Sequence, residues 1–234
     1  NLQADSPAAA TLDLLLVIDT TGSMGDELDY LKAELSSIVG QVKSDNPELD
    51  LRVGLVVYRD VGDDYVVRAH EFTSDISDFQ AVLNGQEHRG GGDYPEAMDQ
   101  ALAKAMEFDW RGDGSKVMLL VADAPPHAEG VLPTWNAARD ARSRQIQILP
   151  VAASGVAASA QYLMRSMAVL TQSRYVFLTD DSGVGNPHEE PDILCYVVTR
   201  LDSLIGRVIN DLIKGVRSEP DASEVLRTVG NYDA

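Results

Sequence analysis

The chain has 234 residues, long enough for one α/β domain with a sizeable core, and its formal net charge of −18 argues against a nucleic-acid backbone or an anionic membrane surface as partner. Cys195 is its single cysteine, which excludes an intramolecular disulfide and any zinc site built on several thiolates. No apolar run approaches the roughly 18 residues that crossing a bilayer requires.

Residues 1–10 (NLQADSPAAA) are small and polar and read as a flexible lead-in. They have no basic region followed by an apolar one, so they read neither as a signal peptide nor as a membrane span; a cleaved leader's remnant and a linker both fit. Leu12 to Asp19 is a short Leu/Val/Ile-rich run, the pattern of a strand buried on both faces of a sheet. Leu28, Leu31, Leu35, Ile38 and Val42 then repeat at three and four, predicting an amphipathic helix to about Lys43. Leu51–Tyr58 and Tyr65–Phe72 predict two more strands, joined so closely that they must be antiparallel neighbours. Ser74 is expected to cap a short helix over Ile76–Leu83. A further helix is expected from about Pro95 or Glu96 to Phe108. Val117–Ala122 predicts a fourth strand, and Thr134 is expected to cap a helix reaching Arg144. A fifth strand (Ile146–Ala152), a helix (Ala158–Thr171) and a short sixth strand (Tyr175–Leu178) follow. The last periodic stretch predicts one long helix from about Leu194 to Val216, with residues 217–234 as a polar tail or linker. Strands alternating with helices, apart from one hairpin, predict a doubly wound, mostly parallel six-stranded sheet with one antiparallel edge strand and helices on both faces.

Three stretches at the expected carboxyl edge of that sheet carry chemistry. The first strand ends in Asp19-Thr20-Thr21-Gly22-Ser23, where Asp19, Thr21 and Ser23 alternate and can converge on one point. One carboxylate and two hydroxyls are hard oxygen donors suited to Mg²⁺, Mn²⁺ or Ca²⁺ rather than zinc or copper. Hydroxyls leave the cation's charge uncancelled, so it keeps affinity for one more anion. The competing account is a hydroxyl-rich cap on the helix behind. The second stretch, Gly90–Leu102, sets Asp93 and Glu96 on a glycine-rich turn, and the third ends the fourth strand in Asp123. Ligands of open α/β sheets bind at this edge.

With these loops, residues 11–216 resemble a von Willebrand factor A domain, and Asp19-x-Thr21-x-Ser23 resembles the metal-ion-dependent adhesion site of that family and of integrin I domains. The resemblance implies Asp19, Thr21, Ser23 and Asp123 as metal-associated residues. Many members carry a threonine in the second loop, which this chain lacks. Asp93-Tyr94-Pro95-Glu96 is instead similar to the Asp-x-Pro-Glu segment of integrin β-subunit I-like domains. That implies Glu96 near the adhesion-site metal and Asp93 by a neighbouring cation, with the direct ligand left open between them. Asp26 and Glu27 match the acids such domains place by a second cation, although acids in a helix's first turn also suit its dipole.

Other clusters are weaker. Asp180, Asp181, His188, Glu190, Asp192 and Cys195 read as a solvated turn followed by helix caps rather than a metal site. His127 either hydrogen-bonds near the site or caps the next turn, and Arg59 and Asp60 read as a surface ion pair, with a place on the ligand-binding face as the other reading. No nucleophile elbow, P-loop, Gly-x-Gly-x-x-Gly or His-Glu-x-x-His occurs, so no enzyme is expected. The resemblance implies a divalent-cation-dependent protein-binding domain whose metal, Mg²⁺ first and Mn²⁺ or Ca²⁺ next, accepts an Asp or Glu from a partner protein. It also implies that ligation shifts the last helix along the sheet, and suggests an extracellular or periplasmic location. The alternatives are a metal-dependent hydrolase on a similar sheet and an intracellular assembly or chelatase-type subunit.

Overall fold

The computed structural model describes residues 10–153, 155–179 and 193–230. The apolar run at the start forms the central strand β1 (Thr11–Asp19), buried along all but its first residue. Its side chains alternate: Leu12, Leu14, Leu16 and Ile18 enter one core layer, and Leu15 and Val17 enter the other. The period of two in a strand makes this partition obligatory. The first layer is closed by Leu28, Leu31 and Leu35 of α1 (Gly25–Asp45) and by Ile205, Val208 and Ile209 of α6 (Leu201–Lys214). On the opposite face, Met98, Ala101 and Ala105 of α3 (Met98–Met106) join Ala138 and Ala141 of α4 (Val131–Ser143) and Met164 and Met167 of α5 (Ala158–Leu170). Alanines there let α3 and α4 lie close to the sheet. Burying one face of each helix against such layers, at about 25 cal/mol per Å² of apolar surface, is the main favourable contribution to the fold.

The sheet contains β2 (Asp50–Tyr58), β3 (Val67–Thr73), β4 (Ser115–Ala122), β5 (Ile146–Ala152) and β6 (Val176–Phe177), in the spatial order β3-β2-β1-β4-β5-β6. All neighbours are parallel except β2 and β3. Six strands, one antiparallel edge and helices on both faces agree with the predicted class. The amino end of the sheet is fastened by Asp13, which is 1% exposed. Its two oxygens accept bonds from Arg52 Nε and Nη2 (2.9 and 2.8 Å) and from Arg111 N and Nε (both 2.8 Å).

Several local expectations are corrected. The helix expected over Ile76–Leu83 is α2 (Ile76–Asn84), and Asp75 rather than Ser74 caps it, accepting from the amides of Ser77 and Asp78 at 2.9 and 3.0 Å. Thr134 caps nothing, because a 3-10 turn (Ala128–Gly130) leads directly into α4 and leaves Thr134 buried inside that helix. The helix expected from Pro95 or Glu96 begins at Met98, since Glu96 is held extended by a parallel bridge to Pro126.

The long helix expected from Leu194 splits into strand β7 (Tyr196–Thr199) followed by α6. Tyr, Val and Thr are stiff residues that fit a pleated strand better than a helix turn. The partner of β7 comes from the stretch read as a polar tail: β8 (Val225–Val229) pairs with it antiparallel, forming a separate two-stranded sheet. The acidic segment at positions 180–192 lies outside the described residues; Cys195, from the same cluster, is exposed.

Candidate metal centre

Parallel strands β1, β2 and β4 end side by side, so the turns that leave them converge. β1 delivers Asp19 fully buried. Its Oδ1 accepts bonds from the Thr21 amide (2.9 Å) and the Thr21 hydroxyl (2.7 Å), closing the turn upon its own carboxylate. That bond also answers the capping alternative: the Thr21 hydroxyl serves Asp19 and makes no side-chain cap for the 3-10 turn (Gly22–Met24) behind it. β4 delivers Asp123, 6% exposed, and the bridge to Pro126 delivers Glu96, 3% exposed. Asp19 Oδ2, Glu96 Oε2 and Asp123 Oδ1 are buried and have no hydrogen-bond partner. Three unsatisfied buried acceptors on three loops are costly, and natural interiors hold few of them.

The electrostatics carry the same sign. Burial, then the charge of Asp123, pushes the Asp19 carboxyl up to about 7. Burial, then the charges of Asp19, Asp60 and Asp123, pushes Glu96 up to about 9. Asp123 is also raised, chiefly by burial, against a lowering contact from Ser23. Beside them the fully buried Tyr58 phenol is held well above its ordinary value by burial and then by these carboxylates. A positive charge is what this group of residues lacks.

The loops are stitched together. Gly22 N donates to Gly90 O (3.2 Å) and Arg89 N to Thr20 O (3.0 Å). The Tyr94 hydroxyl donates to Asp123 O (2.9 Å) and accepts from Ala157 N (2.7 Å). Gly90 and Gly91 have φ of +81° and +76°, and the loop passes its neighbours with no room for a side chain. A Cβ on Gly91 would lie 2.8 Å from Glu96 Oε1 and 3.0 Å from Thr21 Cβ. Thr21, Ser23, Asp93, Tyr94, Glu96 and Asp123 line one depression of about 380 Å³.

Asp93 is exposed and belongs to a second group. Its carboxylate lies with Asp60 and His127 such that one ligand atom from each falls within 4.8 Å of the others, the tightest such grouping among the described residues. Asp19, Glu96 and Asp123 are spread more widely. His127 Nε2 meets Asp60 Oδ1 at 2.7 Å, and that bond holds the imidazole above its usual pKa. Asp60 and His127 are the residues that sequence reasoning undervalued. Arg59 and Asp60 form no surface ion pair: both are buried, Arg59 donating to Glu87 O (2.6 Å) and stacking 4.5 Å above the Tyr65 ring. A usable signal was present, since Asp60 follows β2 as Asp123 follows β4. Asp26 and Glu27 occupy the first turn of α1; Asp26 Oδ2 is buried without a hydrogen bond, and Glu27 is 2% exposed and bears on Asp123 by its charge.

The sequence profile described as von Willebrand factor A domain matches residues 13–186. The chain belongs to the von Willebrand factor A family. Among curated relatives, this A domain is 31% identical over 140 residues to an ariadne-like RING finger protein of Acanthamoeba polyphaga mimivirus, covering 60% of this chain and 13% of that protein. It is 30% identical over 122 residues to an alpha-protein kinase of Dictyostelium discoideum, covering 51% of this chain and 19% of the kinase. The A domain thus spans less than a fifth of either relative. Among solved structures it resembles the pilus adhesin SpaC of Lactobacillus rhamnosus GG, with TM-score 0.56 and 12% identity over 74% of this chain and 28% of the adhesin. It also resembles an aerotolerance-related membrane protein of Bacteroides fragilis, with TM-score 0.51 and 15% identity over 72% of this chain and 92% of that one. At such identities the likeness concerns the fold. A domains are in general protein-interaction modules, and many bind a divalent metal. No helix among the described residues is long and apolar enough to cross a membrane.

Proposed function

We propose that this A domain captures an acidic side chain of a protein partner through a divalent cation associated with Asp19, Thr21, Ser23, Glu96 and Asp123. The observation that carries the reading is the trio of buried carboxylate oxygens without hydrogen-bond partners, on three loops that line one depression. Such a donor set of carboxylates and hydroxyls fits Mg²⁺, and next Mn²⁺ or Ca²⁺. Because the three carboxylates do not crowd one point, hydroxyls and water would complete the shell and leave a place for an outside acid. Asp93, with Asp60 and His127, would hold a neighbouring ion, and Asp26 and Glu27 are the acids available to a further one. When bound, the cation supplies attraction for the partner's carboxylate, while the chain's own residues orient it and exclude bulk water.

Binding rather than catalysis is favoured because His127, one of two imidazoles near this edge with His88 beside Gly25, is engaged by Asp60 and not by the buried trio. Kinase activity belongs to the name of a relative of which this chain covers 19%. An exported location is consistent with the adhesin-like fold. Calorimetric titration of Mg²⁺ into EDTA-treated protein, wild type against Asp19→Ala, tests the proposal. Saturable heat in the wild type that disappears in a folded variant is expected; equal heats in both would overturn it.

A further inference from the structure

We infer that the partner's acid stands alone in an apolar loop whose surroundings are neutral or basic. The inference rests on the function proposed above and concerns the rim of the same site. Four large apolar side chains are exposed on the turn that leaves β2, on the glycine-rich loop and at the start of α4: Val61 at 63%, Tyr94 at 44%, Val131 at 45% and Leu132 at 66%. Exposed apolar residues scattered singly need no explanation. Contacts between residues next to these bring the three segments to one edge of the sheet. Val61 follows Asp60, whose carboxylate meets His127; Val131 and Leu132 start the helix just beyond His127; Tyr94 is bonded to the Asp123 carbonyl.

Tyr94 is the most informative of them. Its ring is nearly half exposed, yet its hydroxyl is fixed at both sides, by Asp123 O and Ala157 N. A preordered aromatic ring loses little entropy when a partner covers it, the property that makes tyrosine a frequent interface anchor. Around these apolar residues Asp93 and Glu129 are exposed, while Asp64 faces Arg59 at 3.9 Å and Arg89 faces Glu87 at 3.2 Å, so the rim keeps a negative excess on a chain of net charge −18. A partner loop rich in acids would be repelled by this rim, even though one acid is wanted at the centre. Charge complementarity therefore selects a single carboxylate, apolar side chains beside it to cover Val61, Tyr94 and Leu132, and lysine or arginine further out.

Panning a library of disulfide-closed peptides on the protein in Mg²⁺, with elution by EDTA, tests this. The expected clones are EDTA-sensitive, carry one Asp or Glu with apolar residues at adjacent positions, and have zero or positive net charge. Val61→Ser and Leu132→Ser, at exposed positions, should each weaken a selected peptide at least tenfold while leaving calorimetric Mg²⁺ affinity unchanged. EDTA-sensitive clones without apolar flanks, or with several acids, would overturn the inference and leave the cation-dependent function standing. Unchanged peptide affinity in both serine variants would do the same. An absence of EDTA-sensitive clones would remove both.

Discussion

Asp13 and Asp19 lie on the same strand and are both buried, yet their environments are opposite. Burial alone would raise Asp13, but hydrogen bonds and charge from Arg52 and Arg111 hold it below the usual carboxylate range. Replacing it by alanine removes the carboxylate shared by two half-buried guanidiniums, although Arg111 keeps Asp50 at 2.8 Å; urea denaturation of Asp13→Ala should show a loss of about 1.5–3 kcal/mol. Asp19 has no such cations, and with Glu96 it holds protons in the folded, metal-free protein up to about 7 and about 9. Unfolding returns both groups to ordinary carboxyl values near pH 4. Between pH 4 and 9 the folded state therefore binds more protons than the unfolded one, and metal-free stability falls as pH rises. Thermal melts in EDTA should show Tm declining from pH 5 to pH 8, and saturating Mg²⁺ should remove most of that slope. Asp19→Asn should flatten it even without metal. The donors Asp19, Glu96 and Asp123 were legible from sequence because each follows a strand signal or a glycine-rich turn. Asp60 shared that strand-end signal but its pairing with His127 was not legible, because it is a contact across 67 positions that no local pattern encodes.

At the level of elements, the buried strands and amphipathic helices could be read from period alone, and β1 and the apolar face of α6 are the clearest cases. The β7–β8 pair could not. A four-residue strand is defined by its partner, and that partner lies beyond a whole helix in a stretch that looks polar. Its presence bears on the expectation that α6 slides along the sheet. The helix is held at its start by Asp202 N donating to the Tyr30 hydroxyl (2.9 Å) and by β7, one residue upstream. Near its end, Asp211 accepts from Arg174 Nη2 (2.6 Å) and from the Ser218 hydroxyl (2.6 Å), and Asn210 donates to Asp45 (2.6 Å). Displacing α6 would require the strand pair to travel with it or open. Removing residues 217–234 should lower Tm by several degrees and let the amides of Val197 and Thr199 exchange at least tenfold faster. Those of β1 should keep their protection, as measured by hydrogen exchange.

For the molecule as a whole, a formal charge of −18 on 234 residues means self-repulsion in the compact state. Monovalent salt, which shortens the Debye length from about 10 Å at 0.1 M to about 3 Å at 1 M, should raise Tm in EDTA by screening it. A flat or falling Tm across that range would show that local ion pairs outweigh the net charge. The arginines at the amino end of the sheet have a consequence for how the domain meets other molecules. From Asp13 to Asp19 the strand runs six residues, or ~20 Å, from carboxylates neutralised by arginine to carboxylates with no cation beside them. Along this one strand, paired charge thus gives way to unpaired charge. In the metal-free domain a diffusing cation would therefore be drawn to the Asp19 end of the strand and would find its charge already matched at the Asp13 end.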